Sequence, residues 1–174
     1  MRARTLSRLA PALLAAALAL TPMPAAAWDA YQNPAYGYAI DLPGAPFAVE
    51  ATPGGVTLLE LGGRGQIDVY GAENAAELSP REFEAALAEA PRIRDISYSR
   101  RGNSWFVISG HYVREGDAEA GLGDDLIFYA KVMFSPDRSR FSAFEASYPV
   151  ADKARFDPII TRLEASLRAP ANAP

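Results

Sequence analysis

Three segments in the middle of the chain, Trp105 to Val113, Leu126 to Phe134 and Arg140 to Tyr148, restrict the fold more than any other part of it. Each is rich in aromatic and β-branched side chains, and turn residues such as Ser135-Pro136-Asp137-Arg138 separate them. Successive side chains of a strand point to opposite sides. In the first segment Phe106, Ile108, Gly110 and Tyr112 therefore oppose Trp105, Val107, Ser109, His111 and Val113. In the second, Leu126, Phe128, Ala130, Val132 and Phe134 oppose Ile127, Tyr129, Lys131 and Met133. The third alternates Phe141, Ala143, Glu145 and Ser147 with Ser142, Phe144, Ala146 and Tyr148. A sheet largely apolar on both sides has to be covered on both. The expected class is α+β, a single antiparallel β-sheet covered by helices on both faces.

Two helices are written plainly enough to provide that cover. Ser79-Pro80-Arg81-Glu82 combines a cap, a proline at the first helical position and the glutamate of a capping box, and Pro91 ends the segment. Phe83, Ala86, Leu87 and Ala90 share its expected core face, with Arg81, Glu84, Ala85 and Ala88 elsewhere on its surface. Near the end of the chain Phe156, Ile159, Ile160, Leu163 and Leu167 recur at helical spacing, with Asp157-Pro158 as cap and first turn.

The remaining strands are shorter. Asn33-Pro34 and Gly37 form a turn into Tyr38 to Leu42, for which Phe47 to Glu50 is a candidate return partner. Val56 to Leu61 and Gln66 to Tyr70 read as a hairpin about Gly62-Gly63-Arg64-Gly65. That turn lacks the lysine and hydroxyl of a phosphate-binding loop and leads into a strand, so it is read as a turn only. Arg92 to Arg100 is the most polar strand and belongs near an edge.

The first residues carry an export signal by their pattern. Arg2, Arg4 and Arg8 precede the apolar run Leu9 to Leu20, which is too short to span a bilayer, and Ala25-Ala26-Ala27 offers the small residues that a signal peptidase reads. Residues 1–27 are thus expected to be a signal peptide cleaved after Ala27. A single domain is expected over 28–168, and 169–174 is expected to be a disordered tail. Three of the 17 basic residues and none of the 21 acidic ones precede the cut, leaving fourteen against twenty-one, a charge of −7. Such a charge disfavours nucleic acid as a partner. With no cysteine in the chain, thiol catalysis, iron–sulfur clusters and cysteine-ligated zinc are excluded. The mature chain has no second apolar run of membrane-spanning length, and a periplasmic or extracellular protein is expected.

Candidate sites are few. His111 is the only histidine; with Ser109 or a loop carboxylate it suits a small periplasmic hydrolase. No Gly-x-Ser-x-Gly elbow accompanies it, and a structural histidine is the plainer reading. Glu115, Asp117, Glu119, Asp124 and Asp125 are spaced among glycines in a manner that suits a hard cation such as calcium, in a calcium-stabilised module. The register is not that of an EF-hand, with Ala120 and Leu126 at the positions needing glycine and glutamate, and a solvated connection is the plainer reading. Tyr31, Tyr36 and Tyr38 form either an aromatic surface for a protein partner or ordinary packing. No cofactor motif is present.

The segment Tyr36-Gly37-Tyr38-Ala39-Ile40-Asp41-Leu42-Pro43 resembles the opening strand of proteins with the fold of PsbP, the extrinsic protein of photosystem II. The strand Phe128-Tyr129-Ala130-Lys131, the Tyr148-Pro149 break and the closing helix from Phe156-Asp157-Pro158 to Ser166-Leu167-Arg168 are similar to small exported bacterial proteins of that type. The resemblance implies a PsbP-like α/β/α sandwich. Known members include lumenal photosystem subunits and an import factor that binds a small GTPase, so it implies binding without catalysis. It supplies no site residue. The function expected is that of an exported, non-catalytic binding or accessory module for a protein or assembly of the cell envelope.

Overall fold

The computed structural model describes residues 27–113 and 126–173. Residues 1–26 of the expected 1–27 signal peptide and the acidic positions Glu115, Asp117, Glu119, Asp124 and Asp125 lie outside them.

Nine strands and two helices follow in order: β1 (Trp28–Asn33), β2 (Tyr38–Pro43), β3 (Phe47–Thr52), β4 (Gly55–Glu60), β5 (Gln66–Glu73), α1 (Pro80–Ala88), β6 (Ile93–Arg101), β7 (Trp105–Tyr112), β8 (Leu126–Phe134), β9 (Arg140–Pro149) and α2 (Lys153–Ser166). Seven strands make one antiparallel sheet in the order β3-β4-β5-β9-β8-β7-β6. The three aromatic-rich central segments are its contiguous strands β9, β8 and β7, and the polar β6 is an edge. Its backbone is bulged at two places. Gly110 is required there, since a Cβ on it would stand 1.9 Å from the Asp95 carbonyl oxygen of the bulged strand.

The expectation of a single sheet is corrected. β1 and β2 pair only with each other, in a separate two-stranded sheet, and β3 pairs with β4 instead of returning to β2. The cause is burial. Tyr38 and Ile40 are 2% exposed and Leu42 6%, packed with Val56, Leu58, Ile67 and Val69. A strand that lays its side chains on the face of another sheet is not available to its edge. Gly37, at φ 69°, makes the turn between β1 and β2 in a conformation that other residues rarely adopt.

Alternation in β8 and β9 separates two apolar clusters. Phe128, Ala130, Val132, Phe134, Phe141 and Ala143 belong to the one that receives Phe83 and Leu87 of α1. Phe83 meets the rings of Phe106, Phe134 and Phe141 at 5.9, 5.8 and 4.8 Å. The intervening Ile127, Phe144, Ala146 and Tyr148 belong to the other cluster, with β2 and Phe156, Ile160 and Leu163 of α2.

Both helices depart from their expected details. The capping box of α1 forms as written, with Ser79 Oγ accepting from the Glu82 amide and Glu82 accepting from the Ser79 amide. Glu84, however, is 8% exposed. It accepts hydrogen bonds from Ser99 and Arg101 of β6, because α1 lies over β7 and β6 and turns that flank to the edge strand. Helix α2 starts at Lys153, ahead of Asp157-Pro158, leaving Pro158 inside it. The earlier start places Phe156 on the Tyr148 ring, stacked at 4.3 Å.

Residues 169–173 form neither helix nor strand, yet they are tied down. The Ala171 amide donates to the Tyr36 carbonyl at 3.1 Å, and Asn172 Oδ1 accepts from the Asp137 amide at 3.3 Å.

Candidate functional site

Among the described residues, the α1 side of the large sheet is covered over only part of its width. One row of side chains crosses it through successive register partners, from Ile108 to Ala130, Glu145, Asp68, Thr57 and Glu50. Its first two members, on β7 and β8, lie in the α1 cluster. The rest, on β9, β5, β4 and β3, are polar, and here the sheet forms a cleft of about 360 Å³. Arg92, just before β6, also lines it.

Asp68 and Glu145 stand directly opposite each other on β5 and β9. Like charges at such a position repel, and the cleft offsets this by giving each carboxylate two donors. Asp68 accepts from Thr57 Oγ1 at 2.6 Å and from Gln66 Nε2 at 2.8 Å. Glu145 accepts from the Tyr112 hydroxyl and from Arg92 Nη2, the latter at 2.8 Å. The Arg92 guanidinium also lies over the Tyr112 ring, 5.4 Å from its centre, and that ring stacks on Phe128 at 5.0 Å. The Glu145 side chain is only 12% exposed, which makes this pairing less screened than an ordinary surface ion pair.

The phenols nearest Glu145 stay protonated. Burial, and then the charge of Glu145, pushes Tyr70 up to about 12. Tyr112 is raised further by burial together with the charge and hydrogen bond of Glu145. Arg92 opposes both shifts, and burial, the largest cause of each, keeps them raised. The cleft can hold a cation or a hydrogen-bond donor against oriented carboxylates.

The residues singled out from the sequence lie elsewhere. His111 Nδ1 is paired with Asp95 Oδ1 at 2.9 Å at the sheet edge. That contact and the one from Arg94 hold the Asp95 carboxyl below the usual range. Ser109 donates its hydroxyl to the Phe128 carbonyl at 2.7 Å, so its proton is committed to the main chain instead of His111. Tyr38 is a core residue whose hydroxyl donates to the Gly54 carbonyl at 3.0 Å. Tyr31 and Tyr36 are half-buried against the same cluster. The three do not form an open aromatic surface. Among the described residues no three potential metal ligands gather, and no helix is long and apolar enough to cross a membrane.

Neither Asp68 nor Glu145 is singled out by motif or spacing. The only signal in the sequence was a lone carboxylate in each of two apolar strands, Ile67-Asp68-Val69 and Phe144-Glu145-Ala146. Their meeting depends on β5 pairing with β9 across half the chain.

Comparison with protein-family models and with curated proteins finds no match. Solved structures do match. The Ran-binding protein Mog1p of Saccharomyces cerevisiae aligns with a TM-score of 0.58 at 9% identity, over 83% of this chain and 96% of its own. A point mutant of the protein Mog1 gives 0.58 at 9%, over 84% and 97%. Cyanobacterial PsbP from Synechocystis sp. PCC 6803 gives 0.54 at 13%, over 86% and 96%. The chain has a PsbP-like fold, shared equally with Mog1.

Proposed function

We propose that the protein is an exported binding module that docks a protein partner of the cell envelope, without chemistry of its own, through the cleft over β4, β5 and β9. The observation that carries this reading is the half-covered side of the sheet. A side that α1 covers with apolar packing passes, in the same row, into polar groups oriented by one another. An intramolecular lid would need apolar residues there. A docking surface needs ordered polar groups around a partly buried centre, which the cleft has. The fold would act as an α/β/α sandwich that holds this surface rigid. Mog1p, which shares the fold, is named for binding another protein. The arginines and alanines of the first 27 residues support export.

The test is site-specific photocrosslinking in the producing cells. A photoreactive residue replaces Thr52, exposed at the cleft, or Thr161, exposed on α2. One envelope protein crosslinked from Thr52 and absent from Thr161 is the expected result. Equal labelling from both positions, or none from Thr52, would overturn the proposal.

A further inference from the structure

The cleft is built from two halves of similar parts. Its Glu145 half is complete within the chain: a carboxylate, a tyrosine ring and the guanidinium of Arg92, which donates to the first and lies over the second. Its Asp68 half repeats two of those parts on the neighbouring strand, with Asp68 opposite Glu145 and Tyr70 lining the same cleft. Among the described residues the third part is not supplied, since none of their ion pairs involves Asp68. Thr57 and Gln66 orient the Asp68 carboxylate and take up one lone pair on each of its oxygens, leaving a second on each for a further donor. The Tyr70 ring is itself held edge-on by Phe141 at 6.1 Å.

We propose that this half of the cleft seats an arginine side chain presented by the partner protein, its guanidinium donating to Asp68 and lying against the ring of Tyr70. Planarity favours arginine over lysine. A guanidinium offers a fork of donors to a carboxylate and a flat face to an aromatic ring, whereas an ammonium offers a more strongly hydrated point charge. A cleft of about 360 Å³ is large enough for one such side chain and too small for a folded element. Two carboxylates, Asp68 and Glu145, line the cleft against the one guanidinium of Arg92, a charge imbalance that favours a second cation. This inference rests on the binding-module reading and adds the chemistry of the partner.

The experiment uses isotope-labelled protein, purified as the cell produces it, titrated with N-acetyl-arginine amide, N-acetyl-lysine amide and N-acetylglucosamine while the backbone amides are followed by NMR. The arginine compound should shift the amides of Asp68, Tyr70 and Glu145. D68N should weaken that binding about tenfold or more, the usual consequence of losing a charge-assisted hydrogen bond. D29N, an exposed change on β1, should leave it unaltered. No shift, an undiminished shift in D68N, or stronger shifts of these amides with the lysine compound or the sugar would overturn the inference. The two readings fail separately. A Thr52 crosslink that persists in D68N sinks the arginine site and leaves the binding module standing. An arginine titration that succeeds where the Thr52 crosslink is absent does the reverse.

Discussion

Glu145 gathers a tyrosine hydroxyl and an arginine on a side chain that is nearly out of solvent, and the pH response of the cleft follows from it. Five of the eight tyrosines, Tyr38, Tyr70, Tyr112, Tyr129 and Tyr148, are raised from the ordinary value of 10.0, chiefly by burial. A phenol whose pKa is higher folded than unfolded favours the folded chain while it stays protonated. That contribution is complete below the unfolded value and is lost as pH rises through the folded one, about 12 for Tyr70 and Tyr148. Alkaline titration followed by phenolate absorbance and circular dichroism should therefore show one group of tyrosines ionising only as the fold is lost. In E145Q, with one negative charge removed, Tyr70 and Tyr112 should ionise at lower pH than in the parent. An unaltered titration would show that Glu145 does not set the field of the cleft.

Among the secondary elements, α1 is the most local and α2 the most tertiary. The start of α1 is fixed within Ser79-Pro80-Arg81-Glu82, so Ser79→Ala should cost about 1 kcal/mol in urea unfolding without altering the slope. α2 begins where its packing requires. Pro158 has no N–H to donate within the helix, and that loss is outweighed by Phe156, fully buried against the rings of Tyr148 and Phe47. Phe156→Ala should cost about 3–5 kcal/mol in the same measurement. A loss below about 1 kcal/mol would mean that the stack contributes little beyond a small side chain. The hairpin of β1 and β2 is similarly held from outside. Arg162 of α2 lies over the Trp28 ring at 4.4 Å and pairs with Asp41 at 3.0 Å. The expected tail contributes as well, since its Ala171 amide closes on Tyr36.

For the molecule as a whole, a seven-stranded sheet is wider than α1, and the uncovered width becomes polar instead of apolar. This difference separates a surface for reversible docking from a hydrophobic liability. The same logic appears at the edge strand β6, where exposed Arg94, Asp95, Arg100 and Arg101 and two bulges discourage pairing with another sheet. The proposed recognition at the cleft rests on charge, so the yield of the Thr52 crosslink should fall as ionic strength is raised in permeabilised cells. A yield indifferent to salt would point to apolar docking.

Periodicity in the amino-acid sequence determined the sheet-forming segments, the two helices and the capping box of α1, because alternation and capping act between residues a few positions apart. It also determined the edge character of β6, whose polarity is local. Tertiary structure alone decided that β1 and β2 leave the main sheet, that Glu84 turns to β6 and that α2 begins at Lys153. Each depends on which face a distant element buries. The cleft belongs to the same class. Asp68 and Glu145 are ordinary carboxylates in separate strands until the pairing of β5 with β9 sets them opposite each other. Arg92 completes the arrangement only because β6 ends the sheet beyond β7. His111 and the tyrosine triplet stood out by rarity and clustering, which are properties of composition, whereas a binding surface is made by register.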